Sequence, residues 1–273
     1  MISHTKSKMN TLVKHDLRCG LIRWPYLLTP VFFAPALFFV LSGAWEANYT
    51  DFLMSVFEGG QILPPDALFG VPLGWVVPMS GCLLINLGYF LQDLTGPGHQ
   101  VLLRSGTKRG WFLSKCLWNL LSCLVYFAVF LFMALVFELL KGGELLPLRL
   151  GEVVRYSHGR MFRQEPTAAQ IMVITVFLPF LTVFAFSLLQ MVLCLFIRPI
   201  LAFLACISLM MLSVAVASPF MLGNGAMWLR NRWMYWGELR TGELIIGCLL
   251  WIAVSFAAGL IRIKHVDVLG TKE

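Results

Sequence analysis

The sequence predicts an all-α, polytopic membrane protein: six transmembrane helices preceded by an N-terminal amphipathic helix lying in the interface. Three observations carry this expectation. First, 59% of the 273 residues are hydrophobic and only 13% are charged, against about 25% charged in a soluble domain. Mean hydropathy is +0.79, so there is too little polar surface to face water. Second, six apolar segments each approach the roughly 20 residues that a helix needs to cross a bilayer. Third, the ten-residue alternation of a β-barrel is absent.

The elements follow in order. In "KSKMNTLVKHDLRCGLIRW", Met9, Leu12, Val13, Leu17, Leu21 and Trp24 recur at spacings of three and four. They form one helical face over residues 8–24, with Lys14, Arg18 and Arg23 largely elsewhere. This is the pattern of a helix lying in the headgroup layer, and a frayed basic tail is the alternative. Span 1 covers about 27–45, with Pro30 and Pro35 in its first half. A loop over 46–72 carries Glu46, Asp51, Glu58 and Asp66 and no Lys or Arg. Span 2 covers about 74–94 and span 3 about 117–137. A second polar loop fills 138–166. From Pro166 to Leu229 the only charge is Arg198, beside Pro199. That pair divides the run into spans 4 (171–196) and 5 (200–222), a tight hairpin reaching the interface. An aromatic-rich loop, "GNGAMWLRNRWMYWGELRTGE", precedes span 6 (244–261). Neither repeats nor linkers divide residues 1–273, which read as one domain. The first 26 residues lack a leading apolar stretch, so no cleaved signal is expected.

Six spans place both termini on one side. If that side is the cytoplasm, thirteen Lys and Arg lie inside against eight outside, and five precede span 1. The positive-inside rule then puts the termini, and the 95–115 loop, in the cytosol; the expected location is a cell membrane, a bacterial-type inner or plasma membrane.

The chemistry of a self-sufficient enzyme or carrier is missing. The chain holds no HExxH, GxSxG or GxxxxGK[ST] pattern. All five His lie outside the spans, and acids avoid span centres, where a coupled carrier normally keeps an ionisable group. The seven Cys show no ligand spacing and read as buried small hydrophobes. No metal site is expected. Asn86, Asn119 and Gln190 stand inside spans; interhelical hydrogen bonds explain them as well as a lined path does.

Residues 92–118, "QDLTGPGHQVLLRSGTKRGWFLSKCLW", break the apolar pattern. Asp93 closes span 2, Thr95 and Gly96 turn, Leu102 and Leu103 form an apolar pair, and Arg104, Ser105, Gly106, Lys108, Arg109 and Lys115 follow. This order resembles the first cytoplasmic loop of type-2 ABC exporter permeases, the transmembrane subunits without a fused ATPase domain. Here Thr precedes Gly, and Pro97 and Gly98 follow, a departure that shortens or breaks the start of the family's short helix. The resemblance extends to the interfacial helix, the six spans, the aromatic outer loop and the exit through Arg262, Lys264 and Asp267.

The resemblance implies a coupling helix at 96–106 docked in a groove of a separate ATPase subunit. Leu102 and Leu103 would anchor it, Arg104, Lys108 and Arg109 would meet acidic groups or lipid phosphates, and Asp93, Thr95 and Gly96 would shape the turn. For Lys108 and Arg109 taken alone, topology and anionic lipid are at least an equal explanation. It further implies an outer gate at Met227, Trp228, Arg230 and Trp233, and a second permease, identical or related. ATP and Mg²⁺ would sit on the partner ATPase, with no cofactor in this chain and no nucleic-acid partner. The expected activity is export of a hydrophobic or amphipathic substrate: a peptide antibiotic, a drug or a lipid. A non-transporting scaffold or receptor is the alternative, and a membrane enzyme with an unusual site a third.

Overall fold

The computed structural model describes residues 29–33, 48–60, 70–95, 108–140, 149–158, 162–235 and 237–265, with the backbone alone at 88, 90–95 and 152. Its elements are helices α1 (Tyr49–Val56), α2 (Leu73–Thr95), α3 (Lys108–Leu140), α4 (Glu152–His158), α5 (Ala168–Leu193), α6 (Pro199–Ala215) and α7 (Thr241–His265). Short 3₁₀ turns occupy Leu222–Ala226 and Trp228–Arg230. The described fold is all-helical apart from two isolated bridges, Phe162 with Met234 and Asn231 with Leu239.

Three helices, α3, α5 and α7, are long and apolar enough to cross a membrane, at 33, 26 and 25 residues. The apolar stretches Leu73–Leu87 and Pro199–Ala215 are shorter. Side-chain contacts show that these five helices alternate in direction. Lys108 at the start of α3 donates to the Lys264 carbonyl near the end of α7 (3.4 Å). Arg262 of α7 donates to the Leu195 carbonyl just after α5 (3.2 Å). Tyr126 of α3 donates to the Pro78 carbonyl of α2 (2.7 Å).

Several boundaries differ from the sequence expectation, each for a local reason. Span 3 begins at Lys108, so residues 108–115 of the expected loop are helical. Trp111, Phe112, Ser114 and Lys115 are buried there, and burial of that face extends the helix. Within α5, Val173–Phe177 form a π turn that ends two residues before Pro179. Proline cannot donate to the ladder, and the wider turn accommodates it. Arg198 and Pro199 do start α6, with Arg198 at the N-cap and Pro199 in the first turn. But α6 stops at Ala215, and residues 216–222 leave the helix. The expected 46–72 loop contains α1, whose start is a capping box between Asn48 and Asp51. Most of span 1 lies outside the described residues. Its 29–33 turn stacks Phe33 on Phe130 (4.6 Å between ring centres) and lies against Tyr126.

At one end the polar segments close into a cap. The Asp51 carboxylate, 1% exposed, accepts from the Asn48 N–H (3.0 Å) and the Val154 N–H (2.9 Å), joining α1 to α4. Glu138 at the end of α3 accepts from the Tyr49 N–H (2.8 Å). Both carboxylates thus satisfy backbone donors at helix starts, where negative charge is favoured. Trp228 is the hub. Its indole donates to the Met54 carbonyl (2.7 Å), Phe162 stacks on it (5.7 Å) and His158 meets it edge-on (5.6 Å). His158 also reaches Glu58 at 3.0 Å. Gly59 turns the chain at φ +74°, the left-handed region that glycine enters at no steric cost, and packs against Met227.

Arg230, 1% exposed, fastens the cap to α6. It donates to the carbonyls of Gly60 (3.0 Å), Ser213 (2.6 Å) and Val214, and to Asn224 Oδ1 (2.7 Å). Asn224 in turn donates to the Val216 and Ser218 carbonyls (2.8 Å each). The carbonyls that end α6 carry partial negative charge and lack intrahelical partners, so a buried guanidinium satisfies both needs. Burial pulls its pKa down to about 10, which leaves it charged at neutral pH.

Replacing Arg230 with Leu orphans these acceptors, at a cost of roughly 2–4 kcal/mol. Thermal unfolding in detergent is expected to shift down by about 5–10 °C. The exposed Arg232→Leu change should move it by under about 2 °C. Equal melting of the two variants would contradict the assigned role of Arg230.

Candidate functional site

Midway along the bundle, five polar side chains from three helices meet with no charge among them. Asn86 of α2, Asn119 and Ser122 of α3, and Ser187 and Gln190 of α5 are all fully buried. Their placement follows from helical spacing: Asn119 with Ser122, and Ser187 with Gln190, sit three apart on one face. Asn86 Nδ2 donates to Ser187 Oγ (2.7 Å) and Asn119 Oδ1 (3.2 Å). Ser187 Oγ donates to Asn119 Oδ1 (2.6 Å), and Ser122 Oγ donates to Asn86 Oδ1. Gln190 Nε2 donates to the Leu83 carbonyl (3.1 Å). The cluster is therefore an interhelical clasp. Two atoms stay unmatched inside it, Asn119 Nδ2 and Gln190 Oε1.

Toward the 108 end, Lys115 is 3% exposed rather than at a loop surface. Its ammonium donates to the Tyr89 hydroxyl (2.6 Å) and lies 4.5 Å from that ring's centre. Tyr89 stacks on Trp118 (3.9 Å between centres). The aromatic walls replace part of the lost hydration of the cation. One turn earlier, Phe112 packs so closely on Gly259 of α7 that a Cβ there would overlap its ring. So α2, α3 and α7 are locked together just inside the point where the 95–107 segment joins α3.

The expected coupling residues divide. Asp93 and Thr95 lie in the last turn of the α2 backbone. Lys108 and Arg109 occupy the first turn of α3, Lys108 half-buried and Arg109 exposed. Gly96, Leu102, Leu103 and Arg104 lie outside the described residues, as do Lys14, Arg18, Arg23 and Trp24 of the expected interfacial helix. Of the expected outer-gate residues, Met227, Trp228 and Arg230 are buried in the cap, while Trp233 is half-buried at its edge. Sequence reasoning missed Asp51, Glu138 and Asn224 as cap-forming groups. For Asp51 a signal existed: "NYTD" has the spacing of a capping box.

Beside the cap, an open cleft of about 400 Å³ is lined by Arg163, Gln164, Pro166, Gln170, Asn231, Arg232, Trp233, Arg240 and Thr241. Among the described residues no group of three or more His, Cys, Asp or Glu is placed to hold a metal ion.

A family profile described as "Protein of unknown function (DUF2705)" matches residues 31–269, and the chain belongs to that family. The match runs from within the first apolar segment to just beyond α7, so it spans the bundle and cap together. No curated protein and no solved structure matches the chain.

If the clasp is a set of true hydrogen bonds, Asn86 and Ser187 are energetically coupled. A double-mutant cycle with Asn86→Ala and Ser187→Ala, read by unfolding in detergent, should give a coupling of about 0.6–1.7 kcal/mol. Additive losses would show that the two side chains only fill space.

Proposed function

We propose that this chain is the membrane-spanning permease subunit of an ATP-driven exporter. On this reading it crosses the membrane six times with both termini cytoplasmic, and a separate ATPase subunit docks on the 95–107 segment. The cargo is hydrophobic or amphipathic: a peptide antibiotic, a drug or a lipid. A second permease, identical or related, completes the pathway.

The observation that carries this reading is the reach of α3. Its 33 residues extend about 50 Å at 1.5 Å per residue, against a hydrocarbon core of about 30 Å. It starts directly after the segment that resembles a coupling loop, and no proline interrupts it. Along its length it grips α7 through Phe112, α2 through Lys115, and α2 and α5 through Asn119 and Ser122. Its far end touches the cap through Glu138. A push at residue 108 therefore has an unbroken path to the cap, the kind of packed, rigid element that transmits a rigid-body movement. The cap's buried hub supports a gate that moves as one piece, with Met227, Trp228 and Arg230 inside it and Trp233 at its edge.

The test is affinity capture of the tagged full-length chain followed by mass spectrometry, with wild type and Leu102→Asp compared. The expected result is a soluble Walker-type ATPase held by wild type, and at least about tenfold less of it held by the variant at equal permease level, because a buried apolar anchor becomes a charge. Capture of the ATPase without ATP-dependent movement of any tested cargo would replace transport by anchoring. No ATPase on the wild-type chain would overturn the proposal.

A further inference from the structure

The cleft beside the cap concentrates positive charge. Arg163, Arg232 and Arg240 all line it, and no carboxylate does. Each of the three is exposed. Among the described residues the Arg163 side chain makes one long contact, to the Tyr235 carbonyl (3.4 Å). Arg240 forms a long, exposed ion pair with Glu243 (3.8 Å), whose carboxylate also accepts from the Arg240 backbone N–H (3.3 Å). The Arg232 side chain has no partner among the described residues. Three arginines on the lining of one hollow give it a positive potential that favours an anion there.

The walls around them are fixed. The Arg163 N–H donates to the Trp233 carbonyl (3.0 Å), the Arg232 N–H to Leu239 (2.8 Å) and the Leu239 N–H to Arg230 (3.1 Å). Asn231, 2% exposed, forms the floor, with its amide donating to Thr241 Oγ1 (2.9 Å) and its carbonyl accepting from the Trp233 N–H (3.2 Å). Thr241 opens the 25-residue α7. The positive end of that helix dipole therefore lies at the cleft, offset in part by Glu243 in its first turn. Gln170, in the first turn of α5, is also in the lining. The starts of two long apolar helices place the cleft at the level where a bilayer's headgroups lie, and Trp233 supplies the aromatic wall typical of that level.

We propose that this cleft is a phosphate-binding site. Arginine binds phosphate through two parallel N–H bonds, and three arginines with a single acid, Glu243 beside Arg240, keep a net positive charge that suits a tetrahedral anion. At about 400 Å³ the hollow also has room for more than the phosphate itself. The phosphate comes from an anionic lipid headgroup or from a soluble phosphate. This site is independent of the exporter reading, because it uses neither the 95–107 segment nor a partner subunit.

The test uses the full-length chain in detergent micelles. Tryptophan fluorescence is titrated with phosphatidylglycerol against phosphatidylcholine, and with inorganic phosphate against chloride at matched ionic strength. Saturable binding of phosphatidylglycerol alone assigns the lipid source, and binding of inorganic phosphate assigns the soluble one. In either case Arg163→Gln/Arg232→Gln/Arg240→Gln is expected to weaken binding at least about tenfold, and added salt to weaken it in wild type. Should the triple variant fail to fold, Arg232→Gln alone disturbs no described contact and is expected to weaken binding at least about threefold. Phosphatidylglycerol no better than phosphatidylcholine together with phosphate no better than chloride, or variants that bind like wild type, would overturn the assignment.

Discussion

The hydrogen-bonded clasp of Asn86, Asn119, Ser122 and Ser187 is the interaction on which the bundle depends. In hydrocarbon no water is present to satisfy a polar side chain, so each must find a partner inside the protein. Three helices supply those partners at one level, and that fixes the register of α2, α3 and α5 against one another. Dispersion alone would let apolar helices slide; a set of short directional bonds does not. α7 then packs on α5 and α3, where the small Gly259 admits Phe112 and the small Gly247 sits against the Pro219 carbonyl. The clasp is uncharged, so it imposes register without the larger cost of a buried ion.

The cap solves a different problem. Helix α6 ends at Ala215, short of a full crossing, and its last carbonyls face protein rather than water. Arg230 satisfies them while Asn224 takes the next two, at Val216 and Ser218. The irregular backbone at this depth is thereby accounted for group by group, as non-helical chain near a membrane must be. The same logic explains why Asp51 and Glu138 point into the cap: each closes the N–H groups of a helix start that would otherwise be buried without partners.

Much of the bundle was legible in the residues. Apolar runs marked the three long helices, and Arg198 with Pro199 marked the turn between α5 and α6, because a lone cation beside a proline has few other uses in an apolar run. The clasp residues were also visible as polar interruptions, but helical spacing alone does not say which helices they join. The cap was least legible. Acids at 46–72 signal a watery loop by composition and aromatics at 223–236 a membrane-water boundary, yet several of them are buried in the cap. Arg230 shows the difficulty well: a charge predicts exposure unless helix-end carbonyls are known to surround it, and the sequence does not reveal that α6 stops early. The arginine cleft was illegible for a related reason, since Arg163 lies 69 residues from Arg232 and their segments meet through tertiary contacts, the bridge between Phe162 and Met234 and the stacking of Phe162 on Trp228.

The clasp has its stated role only if it sits between two aqueous compartments. Thiol labelling tests that directly. Cysteine placed at exposed Arg109, at the start of α3, and at exposed Tyr156, in α4 of the cap, is probed in intact cells with a membrane-impermeant reagent, over the background of the native cysteines. Labelling of one position from outside, with the other reacting only after the membrane is opened, is the result these helix directions predict. Equal reactivity of both positions from one side would mean that α3 does not cross the membrane, and would contradict the account.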